Sequence, residues 1–309
     1  MSRTTPATTD ASRQARRHGS AIPLVAICLG FFMVMLDTTI VNVALPSIGK
    51  GLHGGVELLQ WVLDGYTLVF AALLLTAGAA GDVLGPRRVF IGGLAVFGAF
   101  SALCAAAPDG GFLIAARALQ GIGAAALVPS SLALINTVYP DRAARTKAIG
   151  IWGGMGGIAA ALGPVVGGVL TAAVGWQLVF LVNVPVAIIA YLLIRYRVPA
   201  VPHKAQRRID LPGQILGAAI LVCITYAFID EGVHGWQARD IALLAAGVAL
   251  AAGFVVLEAR QSSPMLPMGL LRNQGFATAN ITGLLLNLGF YASSSCSAST
   301  FSNCGTTPP

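Results

Sequence analysis

Apolar residues in this chain come in long unbroken runs, not in the alternation of strands or the one-sided repeat of soluble helices. They fill residues 22–45, 58–80, 89–107, 111–138, 149–174, 178–194, 214–229 and 241–257. A ninth run begins near Phe276 and is still apolar at Tyr291. A bilayer core about 30 Å thick needs roughly 20 apolar residues per helix. Lipid offers the backbone no hydrogen bonds, so runs of this length are expected as helices that satisfy their own N–H and C=O groups. Short polar hinges separate them, such as Pro108-Asp109-Gly110 and Tyr139-Pro140-Asp141-Arg142. The first run follows a basic leader, residues 1–21, yet it is too long for a signal-peptide core, lacks a small-residue cleavage site and contains Asp37. It reads as a retained span.

Composition agrees with this pattern. Of 309 residues, 56% are hydrophobic and only 10% are charged, where a soluble domain carries about a quarter charged. Mean hydropathy is +0.78. A soluble enzyme, a disordered chain and a disulfide-rich secreted module are all excluded on these grounds. The five cysteines (Cys28, Cys104, Cys223, Cys296, Cys304) lack metal-ligand spacing. All four histidines lie in hydrophilic segments, so no metal site and no cofactor is expected.

The net charge of +7 could suggest nucleic acid, but its distribution says otherwise. With the N-terminus in the cytoplasm, inner segments hold Arg3, Arg13, Arg16, Arg17, Arg87, Arg88, Arg142, Arg145, Lys147, Arg195, Arg197, Lys204, Arg207, Arg208, Arg260 and Arg272, which is 16 of the 19 basic residues. Outer loops hold only Lys50 and Arg239, and Arg117 lies inside a span. This is the positive-inside distribution of a multi-pass plasma-membrane protein. The partners implied are the lipid bilayer and no nucleic acid. Trp61, Trp176 and Trp236 fall at outer span ends, where interfacial aromatics belong.

Charged side chains within spans cost roughly 3 kcal/mol each on insertion scales, so each needs a partner or a wet cavity. Asp37 lies two thirds of the way along the first span and Arg117 lies early in the fourth. One reading has them lining a central cavity and binding a cation or proton; the plainer one is an internal ion pair or a helix-end cap. Asp64, near the outer end of the second span, could simply face water. Asn42, Gln120 and Asn183 are uncharged and suit bonding between helices as packing glue. Asp82, Arg87 and Arg88 flank the sharp turn Gly85-Pro86. They read either as plain topology determinants or as a charge latch that breaks and reforms, with Asp82 pairing a basic residue or capping the next helix. In the fifth span, Gly163-Pro164-Val-Val-Gly167-Gly168 offers a smooth face for close helix approach, with a proline that permits a bend. The glycines just before it lack the strand and aqueous phosphate site that a nucleotide loop needs.

These segments together resemble the major facilitator superfamily, in particular its fourteen-span drug:proton antiporter (multidrug efflux) branch. Leu36-Asp37-Thr-Thr-Ile-Val-Asn42-Val-Ala-Leu-Pro46 looks like that branch's first-span motif, and residues 78–88 look like the superfamily's loop between spans two and three. Arg117-Ala-Leu-Gln120-Gly121-Ile-Gly123 looks like the fourth-span motif, and residues 163–168 like the fifth-span motif of antiporters. Trp176-Gln-Leu-Val-Phe180-Leu-Val-Asn183-Val-Pro185 and Asp210-Leu-Pro-Gly213 also match. The resemblance covers residues 22 to 291.

It implies an all-α membrane protein. A six-helix N-terminal bundle (22–194) would be followed by a basic cytoplasmic loop (195–211), two linker helices (212–259), and a loop with the start of an incomplete C-terminal bundle (260–291). It also implies export of a small amphipathic substrate against protons by alternating access, with no enzymatic step. By the same resemblance, Asp37, Arg117, Asn42 and Gln120 would bind substrate or proton. Asp82, Arg87 and Arg88 would form the gating latch, and Gly163, Pro164, Gly167 and Gly168 the hinge. Asp64 departs from the pattern, where a less polar residue is expected. The apolar pattern also stops after Tyr291, and residues 292–309 have no periodicity. With permitted codons, a one-base shift near the Ala292 codon turns this tail into a continuing apolar span, so a frameshift is expected there. On that expectation the alternative to a transporter is a non-transporting membrane remnant.

Overall fold

A computed structural model describes residues 21–198, 211–260 and 274–286, and every element in it is helical. The order is α1 (Ile22–Leu52), α2 (Val56–Leu84), α3 (Pro86–Ala105), α4 (Gly110–Val138), α5 (Arg142–Ala173), α6 (Gln177–Leu181), α7 (Asn183–Arg197), α8 (Leu211–His234) and α9 (Ala238–Arg260). A further helix, α10, covers 274–286. Among the described residues, eight segments are long and apolar enough to cross a membrane, with α6 and α7 together forming the sixth. The leader, most of the basic loop after α7 and the aperiodic tail lie outside the described residues.

Most helices run past their apolar cores, and two of them start on a side-chain cap. Asp109 accepts a hydrogen bond from the Phe112 backbone N–H at 2.8 Å and starts α4; Asp141 does the same for Ala144 at 2.8 Å and starts α5. Each satisfies one of the backbone donors that a helix start leaves open. Between α2 and α3 the chain turns on the single residue Gly85, at φ +90°. Only glycine takes that conformation without strain, and Pro86 then fits the first turn of α3.

The chain divides into two units, Met1–Phe254 and Val255–Pro309. In the first, α1 runs through the middle and packs against α5, α4 and α7, while α2 and α3 both lie against α4. Two apolar cores form. One gathers Ile27, Met33, Phe90, Leu94, Phe97 and Ile135; the other gathers Ile40, Val41, Val62, Leu113, Val179 and Phe180. Along α1, Asp37 sits between the stretches that feed these two cores.

Small residues set the closest approaches. A Cβ at Gly163 would run into the Thr39 side chain, and one at Gly167 would lie 2.9 Å from the Ile40 carbonyl oxygen. A Cβ at Gly123 would come 2.6 Å from the Phe97 nitrogen. The α1–α5 and α3–α4 contacts are therefore backbone against backbone. The helix α8 packs on α2: Gln214 donates to the Ala72 carbonyl and accepts from the Thr76 hydroxyl, and Tyr226 sits 6.0 Å from Trp61, ring centre to ring centre. Arg239, at the start of α9, pairs with Asp230 of α8. The second unit holds the end of α9 and α10.

Candidate functional site

Four helices bring polar side chains to one point inside the bundle. Asp37 comes from α1, Arg117 and Gln120 from α4, Ser101 and Cys104 from α3, and Asn183 from the first residue of α7. Arg117 and Gln120 are three apart and so share a face of α4. Asn183 follows the one-residue interruption of the sixth span at Val182, and its amide reaches the cluster. Two residues into α7, Pro185 has no N–H to give, so an unbroken hydrogen-bond ladder cannot run through this stretch. Asp37, Gln120 and Ser101 are 0% exposed, and Arg117 and Asn183 are 1% exposed.

The bonds form one network. Arg117 Nη1 donates to Asp37 Oδ2 at 2.5 Å and to Gln120 Oε1 at 2.8 Å, while its Nε donates to the Val62 carbonyl at 3.1 Å. Asp37 Oδ1 accepts from Asn183 Nδ2 at 2.8 Å and from Gln120 Nε2 at 3.1 Å. Ser101 Oγ accepts from both amides, at 3.1 Å and 3.2 Å, and donates to the Phe180 carbonyl at 2.9 Å. The Arg117 guanidinium carbon lies 4.1 Å from the centre of the Tyr66 ring, a cation–π distance. Two buried polar atoms have no partner here, the Asn183 carbonyl oxygen Oδ1 and the Tyr66 hydroxyl.

Burying an ion costs several kcal/mol, and attraction between the pair offsets this only where further hydrogen bonds complete the shell. The network supplies those bonds: three donors converge on the two carboxylate oxygens, and an arene face covers the cation. The cluster is thus arranged for an anionic Asp37. Two of these donors occupy Oδ1, so a proton settling on that oxygen has to displace or turn one of them. Such an arrangement can hold one charge state firmly and respond to a change in it.

The structure brings Asp37, Arg117 and Gln120 together and leaves Asn42 apart. Asn42 is exposed and its amide donates to the Thr38 carbonyl, one turn back on α1, at 3.2 Å. Ser101 and Tyr66 join the cluster without having been singled out by sequence, and Asn183 is a direct partner of the carboxylate, beyond a role in packing. Their signal was weak because uncharged polar groups are common between membrane helices. In the loop after α2, Arg87 donates to the Arg195 carbonyl at 2.7 Å, at the end of the sixth span, while Asp82 and Arg88 are exposed. On α5, Gly163 and Gly167 face α1, and Pro164 points away and is exposed. A Cβ at Gly168 would meet open space. Among the described residues, no group of three or more His, Cys, Asp or Glu is placed to hold a metal ion.

A profile of the family described as Major Facilitator Superfamily matches residues 27–305. The methylenomycin A resistance protein of Bacillus subtilis (strain 168) is 42% identical over 272 residues, which cover 87% of this chain and 58% of that protein. A puromycin resistance protein of Streptomyces alboniger is 41% identical over 278 residues, covering 87% of this chain and 55% of that one. The chain therefore spans little more than half the length of these relatives. Among solved structures, the peptide transporter POT in complex with sulfate superposes with a TM-score of 0.58 at 17% identity, covering 78% of this chain and 53% of that one. That likeness is one of fold.

Proposed function

The chain belongs to the major facilitator superfamily, and we propose that it acts in proton-coupled export of small amphipathic, antibiotic-like compounds by alternating access. The observation that carries this reading is the buried Asp37–Arg117 pair, bonded directly to polar groups from two other helices and through Asn183 to Ser101 of a third. An isolated structural charge pair in lipid is costly, and intramembrane ionisable residues mark ion and proton pathways. The resistance names of the relatives support the substrate class.

In this reading Asp37 exchanges a proton with solvent and Arg117 answers the change in its charge. Gln120 holds both partners in register, and the exposed Asn42 faces the substrate. Arg87, tied to the end of the sixth span, works with Asp82 and Arg88 as the latch between conformations. Gly163 and Gly167 let α5 slide on α1, with Pro164 and Gly168, off that contact face, giving the bend. The protein is multi-pass in the plasma membrane with its N-terminus in the cytoplasm, as the basic residues at the ends of α2, α4 and α7 favour.

The test is drug accumulation in an efflux-deficient host expressing the protein from its natural gene. The expected result is lowered accumulation of at least one amphipathic antibiotic, restored by a protonophore and by Asp37→Asn. Unchanged accumulation across the panel, or full export by Asp37→Asn, overturns the reading.

A further inference from the structure

Asn183 is poorly satisfied for a group so deeply buried. Its Nδ2 is fully used, on Asp37 Oδ1 at 2.8 Å and Ser101 Oγ at 3.1 Å, while its Oδ1 has no partner. The orientation of this amide is set by its neighbours. Ser101 gives its only hydrogen to the Phe180 carbonyl, so Ser101 Oγ must accept from Asn183, and an anionic Asp37 can only accept. A buried carbonyl without a partner costs about 1–3 kcal/mol, and such an atom calls for an explanation.

We propose that Asn183 is a positioning residue for the proton: when Asp37 is protonated, the Asn183 amide turns over and its Oδ1 accepts the new O–H. The inference rests on the proton-coupled reading of the ion pair above. A solvent hydronium gives its proton to Asp37 Oδ1 and leaves as water. The carboxylate goes from charge −1 to neutral, and Arg117 remains +1.

The proton enters at Oδ1 because that oxygen faces two neutral amides, whereas Oδ2 faces the Arg117 cation at 2.5 Å. Once there, the O–H needs an acceptor, and the present occupant of that direction is an N–H. The other nearby acceptors are committed. Gln120 Oε1 takes Arg117 Nη1, and Ser101 Oγ takes both amides. Turning Asn183 by about half a rotation brings its idle oxygen to Asp37. The turn leaves the Asn183 NH2 where its Oδ1 now lies and brings Asn183 Oδ1 to Ser101 Oγ, so the Ser101 hydrogen swings from the Phe180 carbonyl to Asn183. The neutral carboxyl then grips Arg117 more weakly, which frees the cation to respond.

The titratable groups facing Asp37 are Arg117 on α4, Tyr66 on α2 and Cys104 on α3. The sixth span contributes only Phe180 and Asn183 at this level, and α5 meets α1 here through Ala159 and Gly163.

Infrared difference spectroscopy on the purified protein, acidified stepwise and carrying asparagine labelled with carbon-13 at the side-chain carbonyl, tests this without altering the cluster. The expected result is a carboxylic-acid carbonyl band that rises on acidification and is absent from Asp37→Asn. In step with it, a labelled asparagine carbonyl band moves to lower frequency as it accepts a hydrogen bond, and this movement is absent from Asn183→Val. In Asn183→Val the acid band itself lies at higher frequency, because its O–H has lost its acceptor. An acid band that rises while every labelled asparagine band stays still overturns the role of Asn183 and leaves Asp37 as the proton site. Absence of any acid band that Asp37→Asn removes overturns both.

Discussion

Removing one member of the Asp37–Arg117 pair leaves the other charged and buried, which costs about 3–5 kcal/mol in comparable pairs. Asp37→Leu should therefore lower the unfolding temperature in detergent sharply, whereas Asp37→Leu combined with Arg117→Met should recover most of the loss. A double variant no more stable than the single one contradicts the pairing. At this scale the chain was half legible. The insertion cost of a charge singled out Asp37 and Arg117 as residues in need of a partner, but nothing in a hydropathy pattern sets the rotation of one helix against another, so an ion pair and two separate cavity groups looked alike. Ser101 and Tyr66 carry no charge and gave no such warning. Asn183 was visible as polar, and its place beside the carboxylate became clear only from the packing that sets its amide on Asp37.

Helices were the most readable feature, because an apolar run about 20 residues long has few other fates in lipid. Their ends were less so: α5 begins at Arg142, well before its apolar run, since Asp141 caps it and the first turns need not be apolar. The break between α6 and α7 was hidden inside a continuous apolar stretch. Glycines separate into those that make contacts and those that do not. Gly163→Val places new atoms against Thr39 and Ile40 and should cost about 1–3 kcal/mol by overpacking, while Gly157→Ala meets open space and should change stability by no more than about 0.5 kcal/mol. Thermal unfolding of the two in parallel checks this; equal effects contradict the close α1–α5 packing. Gly85→Ala forces a Cβ into positive φ and should cost about 1–2 kcal/mol, read from the same melting curves.

For the molecule as a whole, the count of spans and the loop charges gave a topology, and the fold keeps the ends of α2 and α4 two crossings apart. Cysteines placed at Arg88 and Arg142 should react with a membrane-impermeant maleimide from the same, cytoplasmic, side, and one at Asp109 from the other. Reaction of Arg88→Cys and Arg142→Cys from opposite sides contradicts the arrangement. The docking of α8 on α2 through Gln214 and Tyr226 was not legible, because both residues sit in an otherwise ordinary apolar run and only the packed partner reveals them. The central claim is that a proton on Asp37 and the movement of substrate are coupled. Its most direct test is substrate flux in proteoliposomes with an imposed pH gradient and no other energy source. The account predicts flux in the wild-type protein that collapses with the gradient, and none driven by the gradient in Asp37→Asn; gradient-driven flux of equal size in both contradicts it.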